Sequence, residues 1–550
     1  MISAKPEAEL VLQQQKSGPD YECVVVGAGV CGIYQIYRLS QMGIKSLVIE
    51  AGGDVGGTWY WNRYPGARFD SESVTYGYSF SPELLQEWNW SERFAARPET
   101  ESYLRYVVGK FDLRQYMRFN TRLDTARFHE EGNYWALELS DGAVITTRFL
   151  LTAVGMLSAP TKPRYKGVEQ FKGISFHTYN APAEGVDLRG KRVAVIGTGA
   201  TGVQLIADIK DKVGDLTVFQ RRPNWCAPLG NAPITEAEMA DYKTRYDDIF
   251  ERCRNTVSGF WHVADPRKST EVPREERLKL WERLYDEPGF GIWLGNFRDI
   301  LYDDDANKEI TEFIAGKIRA RVNNPAIADQ LIPKDHGFGQ RRVPLEMQYY
   351  EAYNQDNVHL VSLSETPIEE ITETGIRTTD RDYPFDVIIY ATGFDAITGA
   401  YDRIEIIGRD GVRLRDKWAD GPSTALGVMT TGFPNFFTVA GPQSGSVATN
   451  FPRGIEEAVE FVTDFVEHLI GKGCTVVEPR QEIEDEWQEE VRHQASRVAF
   501  GQQKSWFTGY NSNVDREYKN RYIAYVGGAL RYRARLQEQI TSGYSGFGFK

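Results

Sequence analysis

Apolar residues in this chain of 550 residues form short continuous runs, and two of these runs end at a cluster of glycines. The first run extends from Cys23 to Val26, and the second extends from Val193 to Ile196. A continuous apolar run of this length is typical of a strand that is buried on both faces of a parallel sheet. The glycines that follow are Gly27, Gly29 and Gly32 in the first place and Gly197, Gly199 and Gly202 in the second. A helix-like stretch and another apolar run come next in both places, so the pattern predicts an α/β fold.

This glycine spacing between a strand and a helix is typical of a dinucleotide-binding turn. The first glycine permits the tight turn, the second lets the backbone approach a pyrophosphate, and the third allows close packing of the helix. The helix N-terminus then faces the anion. The alternative interpretation is a glycine turn that holds no nucleotide. Because each turn lies between a buried-type strand and a helix, we predict two dinucleotide sites, with Thr198 a further contact in the second.

The residue 18 positions beyond the last glycine differs between the two sites. It is Glu50 in the first site, whereas in the second it is Gln220, followed by Arg221 and Arg222. A carboxylate hydrogen-bonds the ribose hydroxyls and repels a 2'-phosphate, while arginine attracts that phosphate. The first site is therefore predicted to bind FAD or NAD, and the second to bind NADP through Arg221.

The order of these segments predicts a flavoprotein in which one domain is inserted into the other. The predicted parts are a polar N-terminal extension (1–19), a discontinuous FAD-binding domain (20–157 and 385–550) and an NADP-binding domain (158–384) with a helical insertion at about 225–335. The second part of the FAD domain is assigned from the apolar run Phe385 to Tyr390 and the helix-like stretch Ile455 to Ile470. The predicted fold class is α/β, with two Rossmann-like domains arranged as in the disulfide-reductase flavoproteins.

Composition and charge argue against several classes of function. The formal net charge is -13, and no basic stripe is present, which disfavours nucleic acid or an anionic membrane as a partner. The five cysteines form no CxxC pair and have no metal-ligand spacing, so no metal site is predicted. No signal-like N-terminus and no stretch of about 18 apolar residues is found. We expect a soluble, cytoplasmic protein, and the oligomeric state stays open.

The segment GGTWYWNRYPGARFD, from Gly56 to Asp70, resembles the flavin-domain signature of type I Baeyer-Villiger monooxygenases. A second family element, Phe171, Gly173 and His177 in FKGISFHTYNAP, precedes the second glycine cluster. This element departs from the family at one position, because Ala181 stands where the family has a tryptophan. The resemblance continues through GFGQRRVPLEMQYYEAYNQDNV, DVIIYATGFD and GFPNFFTVAGPQSGSVATN, and so covers nearly the whole chain after the N-terminal extension.

The resemblance implies an enzyme that uses FAD, NADPH and dioxygen to convert a small-molecule ketone into an ester or lactone. In that family NADPH reduces FAD, the flavin captures dioxygen as a peroxide, and the peroxide attacks the carbonyl to give a Criegee-type intermediate. Two other functions stay open here. One is a flavin monooxygenase that oxidises nitrogen or sulfur, and the other is a dinucleotide-binding redox sensor. A flavin disulfide reductase is excluded because it needs a cysteine pair.

The resemblance also implies roles for individual residues. Arg342 occupies the position of the catalytic arginine, and Asp70 matches the carboxylate that orients it. Arg341 falls where the family has a basic residue for the 2'-phosphate. The further cofactor-binding residues that it implies are Gly57, Thr58, Trp59, Asp70, Tyr76 and Trp506. The substrate-pocket residues that it implies are Ser446, Val447, Ala448 and Thr449.

Several of these residues have an alternative interpretation that needs no catalysis. Asp70 is placed to cap a helix beginning near Ser71. The pair Arg341 and Arg342 is also compatible with a solvated or salt-bridged surface loop. As far as direct chemistry is concerned, we interpret His177 as an ordinary loop histidine, because the resemblance implies that it is a hinge contact that couples NADP binding to domain position. Trp506 resembles a mobile-loop tryptophan that reaches toward the nicotinamide ribose, and the alternative is plain packing.

Overall fold

The computed structural model describes residues 18–161, 163–514 and 516–550. All but the last two residues of the predicted extension 1–19 lie outside the described residues. The strands are β1 (Tyr21–Val26), β2 (Ser46–Ile49), β3 (Met117–Arg118), β4 (Leu123–His129), β5 (Tyr134–Leu139), β6 (Val144–Thr152), β7 (Ile174–His177), β8 (Arg192–Ile196), β9 (Asp215–Gln220), β10 (Ala227–Pro228), β11 (Leu345–Glu346), β12 (Val358–Ser362), β13 (Ile368–Thr372), β14 (Gly375–Thr378), β15 (Asp382–Pro384), β16 (Val387–Tyr390), β17 (Glu405–Ile407), β18 (Phe436–Thr438), β19 (Val477–Pro479) and β20 (Phe547–Phe549).

Helices accompany the two large sheets, which have eight and five strands, and fill the long connection after β10. They are α1 (Val30–Gln41), α2 (Thr58–Trp61), α3 (Ser73–Tyr76), α4 (Pro82–Glu87), α5 (Arg97–Lys110), α6 (Ala200–Ile209), α7 (Glu236–Thr244), α8 (Tyr246–Arg254), α9 (Arg274–Asp286), α10 (Gly291–Leu294), α11 (Asp304–Arg321), α12 (Pro325–Leu331), α13 (Tyr349–Ala352), α14 (Leu414–Lys417), α15 (Phe451–Gly471), α16 (Gln481–Ser496) and α17 (Ala529–Thr541). None of the described helices combines the length and the apolar character needed to cross a membrane.

The first sheet holds the first glycine cluster at the end of its central strand. Its strand order is β17-β4-β5-β6-β1-β2-β3, and β18 pairs with β6. Strand β1 pairs in parallel with both β2 and β6. Cys23 and Val25 of β1 face one hydrophobic core, while Val24 and Val26 face another. The run is apolar at every position because both faces of the sheet are buried.

The second sheet repeats this arrangement around the second glycine cluster. Its order is β12-β9-β8-β16-β7, and all its strand pairs are parallel. Val193 and Val195 of β8 face one core, while Ala194 and Ile196 face a second core. The α/β fold class that the sequence predicted is confirmed.

Strand β16 is placed differently from the sequence prediction. The run from Phe385 was assigned to the FAD domain, but Val387 pairs with Val193 of β8 and with Ile174 of β7. The run is apolar and ends at a glycine like β6, so its pattern alone does not distinguish the two sheets. A boundary at 384/385 divides the second sheet, and a boundary after Gly393 keeps that sheet whole.

Candidate active site

One cavity of about 1160 Å³ runs past both glycine clusters. Its wall includes Gly29 and Glu50 at the first cluster, Gly199 and Arg221 at the second, and Arg342. The carboxyl ends of β1 and β8 open into this cavity, which is the usual place for a ligand in a parallel sheet. The two predicted dinucleotide sites therefore share one space with the predicted catalytic arginine.

The first glycine turn is shaped for close backbone approach. Gly27 has a φ of +106°, and a Cβ atom there would lie 2.6 Å from the carbonyl oxygen of Ala153. A Cβ atom on Gly32 would lie 1.8 Å from the carbonyl oxygen of Gly27, so α1 packs directly on the turn. A Cβ atom on Gly57 would lie 2.8 Å from the Cα atom of Gly29. The backbone at Gly29 and at Gly57 carries no side chain, which fits the close approach that the FAD pyrophosphate needs.

The second turn has the same geometry. Gly197 has a φ of +111°, and its Cβ atom would lie 2.4 Å from the carbonyl oxygen of Ala391. A Cβ atom on Gly202 would lie 2.2 Å from the carbonyl oxygen of Gly197. Gly199 faces open space, with nothing within 4 Å of a Cβ atom built there. Thr198 also lines the cavity. The space at Gly199 fits a second pyrophosphate at the N-terminus of α6.

Glu50 directly follows β2 and is buried in the wall of the cavity. Its Oε2 accepts a hydrogen bond from the Ala28 amide at 2.7 Å, and its Oε1 accepts one from the Gly52 amide at 2.6 Å. Burial raises the pKa of this carboxyl, and the two amide hydrogen bonds oppose that rise. The backbone thus fixes the carboxylate beside the first glycine turn, as a ribose contact requires.

Three arginines lie in the part of the cavity wall that belongs to the second dinucleotide site. Arg221, Arg222 and Arg341 all line the cavity. Arg221 donates a hydrogen bond to the Ser512 hydroxyl. Arg341 donates to Asp335 at 3.1 Å, and Arg222 lies 3.8 Å from the same carboxylate. This local positive charge, balanced in part by Asp335, fits a 2'-phosphate.

Asp70 and Arg342 form an ion pair inside the cavity. Nη1 of Arg342 donates to Oδ2 of Asp70 at 2.7 Å, and 5% of the Asp70 side chain and 33% of the Arg342 side chain are exposed. The guanidinium also lies 5.6 Å from the ring centre of Phe290. Asp70 does not cap a helix, because α3 begins at Ser73 with Glu72 as its N-cap residue. Both arginines of the pair are salt-bridged, Arg341 to Asp335 at 3.1 Å and Arg342 to Asp70, and their side chains are 15% and 33% exposed.

Gln204 is a site residue that the sequence analysis missed. It lies in α6 and donates from Nε2 to Oδ1 of Asp70 at 3.2 Å and to the Arg68 carbonyl at 3.0 Å. Its Oε1 accepts a hydrogen bond from the Tyr64 hydroxyl at 2.8 Å. One glutamine thus joins the helix of the second turn to the carboxylate that holds Arg342. In the sequence it is marked only by its place in the helix after the second glycine cluster, five residues beyond Gly199.

An aromatic cluster supports the first turn beside Thr58, which lines the cavity. Trp59 donates from its indole nitrogen to the Tyr76 hydroxyl at 2.8 Å. The Tyr76 ring stacks on Phe69 with a centroid distance of 4.1 Å. The three rings line the same cavity as Gly57 and form an apolar wall of the kind that a flat isoalloxazine ring packs against.

Three of the four predicted substrate-pocket residues line the cavity, and one does not. Val447, Ala448 and Thr449 belong to the wall. Ser446 is fully buried behind them, and its hydroxyl donates to the Gly454 carbonyl at 2.7 Å. Ser446 therefore does not reach the wall of this cavity, because its side chain is directed from the 3-10 turn of this loop toward α15.

The pocket wall facing this loop comes from the long connection after β10. Phe260 and Phe290 contact edge to face at 5.2 Å, and Phe290 and Trp293 do so at 5.5 Å. All three rings line the cavity. The sequence analysis named none of them, because isolated aromatic residues in a helical segment are far more often ordinary core.

Trp506 belongs to the cavity wall, whereas His177 does not. Nε2 of His177 lies 3.2 Å from the Gly393 carbonyl, and its Nδ1 accepts the Tyr179 amide at 3.1 Å. Burial lowers the pKa of His177 to about 4, so the ring is neutral near pH 7. Trp506 stacks on Phe507 at 3.9 Å, and both rings line the cavity.

The sequence of this chain is similar to the sequences of several known monooxygenases. Residues 24–252 match the family model described as pyridine nucleotide-disulphide oxidoreductase. The chain is 47% identical over 542 residues to 2-oxo-Delta(3)-4,5,5-trimethylcyclopentenylacetyl-CoA monooxygenase of Pseudomonas putida, covering 98% of this chain and 99% of that protein. It is 38% identical over 531 residues to a Baeyer-Villiger monooxygenase of Pseudooceanicola batsensis, covering 96% of each. It is 39% identical over 530 residues to phenazine N-monooxygenase PhzNO1 of Lysobacter antibioticus, covering 96% of each.

A crystal structure of OTEMO in complex with FAD and NADP superimposes on this chain with a TM-score of 0.93 at 47% identity. The superposition covers 97% of this chain and 100% of that structure. Sequence similarity of this extent, together with two dinucleotide sites around one cavity, settles the family. The chain belongs to the Baeyer-Villiger monooxygenases.

Proposed function

We propose that this protein is an NADPH- and dioxygen-dependent monooxygenase that converts a ketone into an ester or lactone. The observation that carries the proposal is the ion pair between Asp70 and Arg342, which lies inside a cavity shared by two dinucleotide sites. We include in this proposal a reducing compartment such as the cytoplasm, which is consistent with the free state of all five cysteines.

The first glycine turn, Gly57 and Glu50 would hold FAD, and the second turn with Arg221 and Arg341 would hold NADP. When bound, FAD accepts hydride from NADPH and activates dioxygen for transfer of one oxygen atom. The backbone amides at the N-termini of α1 and α6 would face the two pyrophosphates. The domain boundaries that we propose for these two sites place the second unit at about 158–393 and leave the remainder with FAD.

Arg342 would act on the ketone carbonyl. Its guanidinium stays positively charged at any physiological pH and presents several donors in one plane. It can therefore stabilise the negative charge that develops on the carbonyl oxygen as that carbon is attacked. Asp70 would hold the guanidinium in this orientation, and Gln204 would hold Asp70.

The aromatic wall of Phe260, Phe290 and Trp293 would restrict water near Arg342. A ketone is neutral and largely apolar, so a cavity wall of rings with one cation at its side suits the substrate class. Electrostatic stabilisation by Arg342 is also stronger where water is excluded. We propose Val447, Ala448 and Thr449 as the opposite wall of this pocket.

Oxidation of nitrogen or sulfur is the second candidate. The relative from Lysobacter is named for N-oxidation. This chain also departs from the ketone-oxidising pattern at one position, because Ala181 stands where that pattern has a tryptophan. That chemistry needs no cation at a carbonyl, so the retained pair of Asp70 and Arg342 favours the ketone.

The test is product identification with purified protein, NADPH and ¹⁸O₂ on a panel of linear, cyclic and aryl ketones, amines and sulfides. We expect esters or lactones that carry one ¹⁸O atom. The Arg342→Ala variant should form them at least about a hundredfold more slowly, which is the cost of losing one donor to a developing oxyanion. N-oxides or S-oxides without any ester, at a rate that Arg342→Ala leaves unchanged, would establish the second candidate instead.

A further inference from the structure

Trp61 and Tyr179 form a stacked pair on the wall of the cavity. Their ring centroids are 5.4 Å apart, and the ring planes differ by 8°. Trp61 ends α2, which belongs to the segment next to the first glycine turn. Tyr179 lies in a 3-10 turn (Thr178–Asn180) directly after β7, the edge strand of the second sheet. The stack therefore connects the two dinucleotide-binding units.

The turn that carries Tyr179 is fixed by His177. The Tyr179 amide donates to Nδ1 of this histidine, so the neutral ring carries its proton on Nε2 and donates to the Gly393 carbonyl. Burial keeps the ring neutral and hence keeps both hydrogen bonds. The next residue, Phe394, contacts both rings in a T-shaped arrangement, with its ring centroid 5.7 Å from that of His177 and 5.8 Å from that of Tyr179.

The segment that follows β16, from Thr392 to Phe394, also contacts the loop that contains Asn511 and Asn513. Asn511 donates to the Phe394 carbonyl at 2.6 Å, and Asn513 donates to the Thr392 carbonyl at 2.8 Å. Between them, Ser512 accepts a hydrogen bond from Arg221. A continuous set of contacts thus extends from Trp61 at the first site to Arg221 at the second, and Tyr179 supplies its first step.

We propose that Tyr179 is a positioning residue, which fixes the second unit against the first so that NADP and FAD meet in the shared cavity. Tyr179 lies two residues before Ala181, which stands where the family has a tryptophan, so Tyr179 supplies an aromatic ring on a segment in which Ala181 has only a methyl group. The proposal deepens the proposed function, because it rests on the assignment of the second turn to NADP. A looser junction would lower the population of molecules able to bind NADP, and the apparent affinity would fall by the same fraction.

The experiment compares wild type with Tyr179→Ala, Tyr179→Phe and the double variant Tyr179→Ala/Ala181→Trp. NADP⁺ is titrated into the oxidised, FAD-loaded protein without ketone, and the flavin absorbance is followed. We expect Tyr179→Ala to weaken NADP⁺ by about three- to tenfold, the worth of one aromatic pair. Tyr179→Phe keeps the ring and should match wild type. The double variant should recover at least half of the loss in affinity on a logarithmic scale.

A second measurement separates positioning from plain stability. We expect Tyr179→Ala to divert a larger fraction of NADPH oxidation into hydrogen peroxide. The matched control is Tyr134→Ala, which removes a ring stacked on His129 at 4.9 Å in β5. It should change the melting temperature without changing NADP⁺ affinity or the peroxide fraction.

The proposal is overturned if Tyr179→Ala binds NADP⁺ like wild type while it retains FAD, or if Tyr134→Ala weakens NADP⁺ equally. Should Tyr179→Ala fail to fold, the Tyr179→Leu variant, which keeps apolar volume without a stacking ring, replaces it in the same titration. Because the titration contains no ketone, failure of this inference is distinct from failure of the proposed ketone oxidation, which the product assay measures.

Discussion

Asp70 and Arg342 are 272 residues apart in sequence, yet Nη1 of the arginine donates to Oδ2 of the aspartate at 2.7 Å. The aspartate comes from the flavin-side signature and the arginine from the loop that precedes β11. The second oxygen of Asp70 accepts from Gln204 on α6. A carboxylate held at both oxygens leaves the guanidinium few orientations, which is what a preorganised cation at a reacting carbonyl requires.

We predict that Asp70→Ala lowers kcat for ketone oxidation by about a hundredfold and Asp70→Asn by about tenfold. The asparagine keeps one hydrogen bond to Arg342 but removes the charge that strengthens it. Steady-state ester formation and flavin absorbance measure kcat and FAD content. The control is Asp464→Ala, which removes the ion pair of Arg38 at 2.7 Å, with neither residue in the cavity wall, and should leave kcat within twofold. An Asp70→Ala enzyme with wild-type kcat would refute the orienting role.

We predict opposite phenotypes for two glycines of the second turn. Gly202→Ala places a Cβ atom 2.2 Å from the Gly197 carbonyl oxygen, so it should lower the free energy of unfolding by about 1–3 kcal/mol, the usual cost of overpacking. Gly199→Ala meets no atom within 4 Å and should melt like wild type. Its methyl group would instead enter the space assigned to the pyrophosphate and weaken NADP⁺ at least about tenfold. Thermal melts and NADP⁺ titrations of both variants test these predictions. Unchanged NADP⁺ binding by Gly199→Ala would show that the pyrophosphate does not bind at Gly199.

We predict that Arg221→Ala weakens NADPH by about tenfold to a hundredfold, the worth of one or two charge-assisted hydrogen bonds, and leaves NADH turnover nearly unchanged. The ratio of kcat/KM for the two cofactors measures the effect. Ser512→Ala is the matched control, because it removes the protein partner of Arg221 without removing its charge. An equal loss with both cofactors would mean that Arg221 supports the fold rather than the 2'-phosphate.

The sequence was sufficient to predict the features that depend on local pattern. The runs from Cys23 to Val26 in β1 and from Val193 to Ile196 in β8 are apolar at every position because both faces of each sheet are buried, and the glycines follow them at fixed spacing. Motif resemblance led to Asp70 and Arg342, but it gave no distance between them. Only the fold shows that the pair lies in one cavity with both turns.

Features that depend on three-dimensional packing were missed or misplaced. Strand β16 carries a run that fits either sheet, and its partners are decided by the path of the chain rather than by its residues. Ser446 is polar and adjacent to true wall residues, but the local 3-10 turn directs it into the interior. Gln204 resembles an ordinary polar helix residue until the fold brings it to Asp70.

We predict that His177 makes the stability of the protein depend on pH below neutrality. Burial lowers the folded-state pKa of this ring from 6.5 to about 4, so between these values the unfolded chain binds a proton that the folded protein does not. Stability from this group is therefore complete above pH 6.5 and is lost as the pH falls toward 4, by at most about 3 kcal/mol. Protonation would also disrupt the hydrogen bond that Nδ1 accepts from the Tyr179 amide. Melting temperatures of wild type and His177→Gln between pH 4.5 and 7.5 test this, because the carboxylates that titrate in the same range are common to both proteins. The wild type should lose more stability on acidification than the variant, and parallel curves would show that His177 accepts a proton in the folded protein as readily as in the unfolded chain.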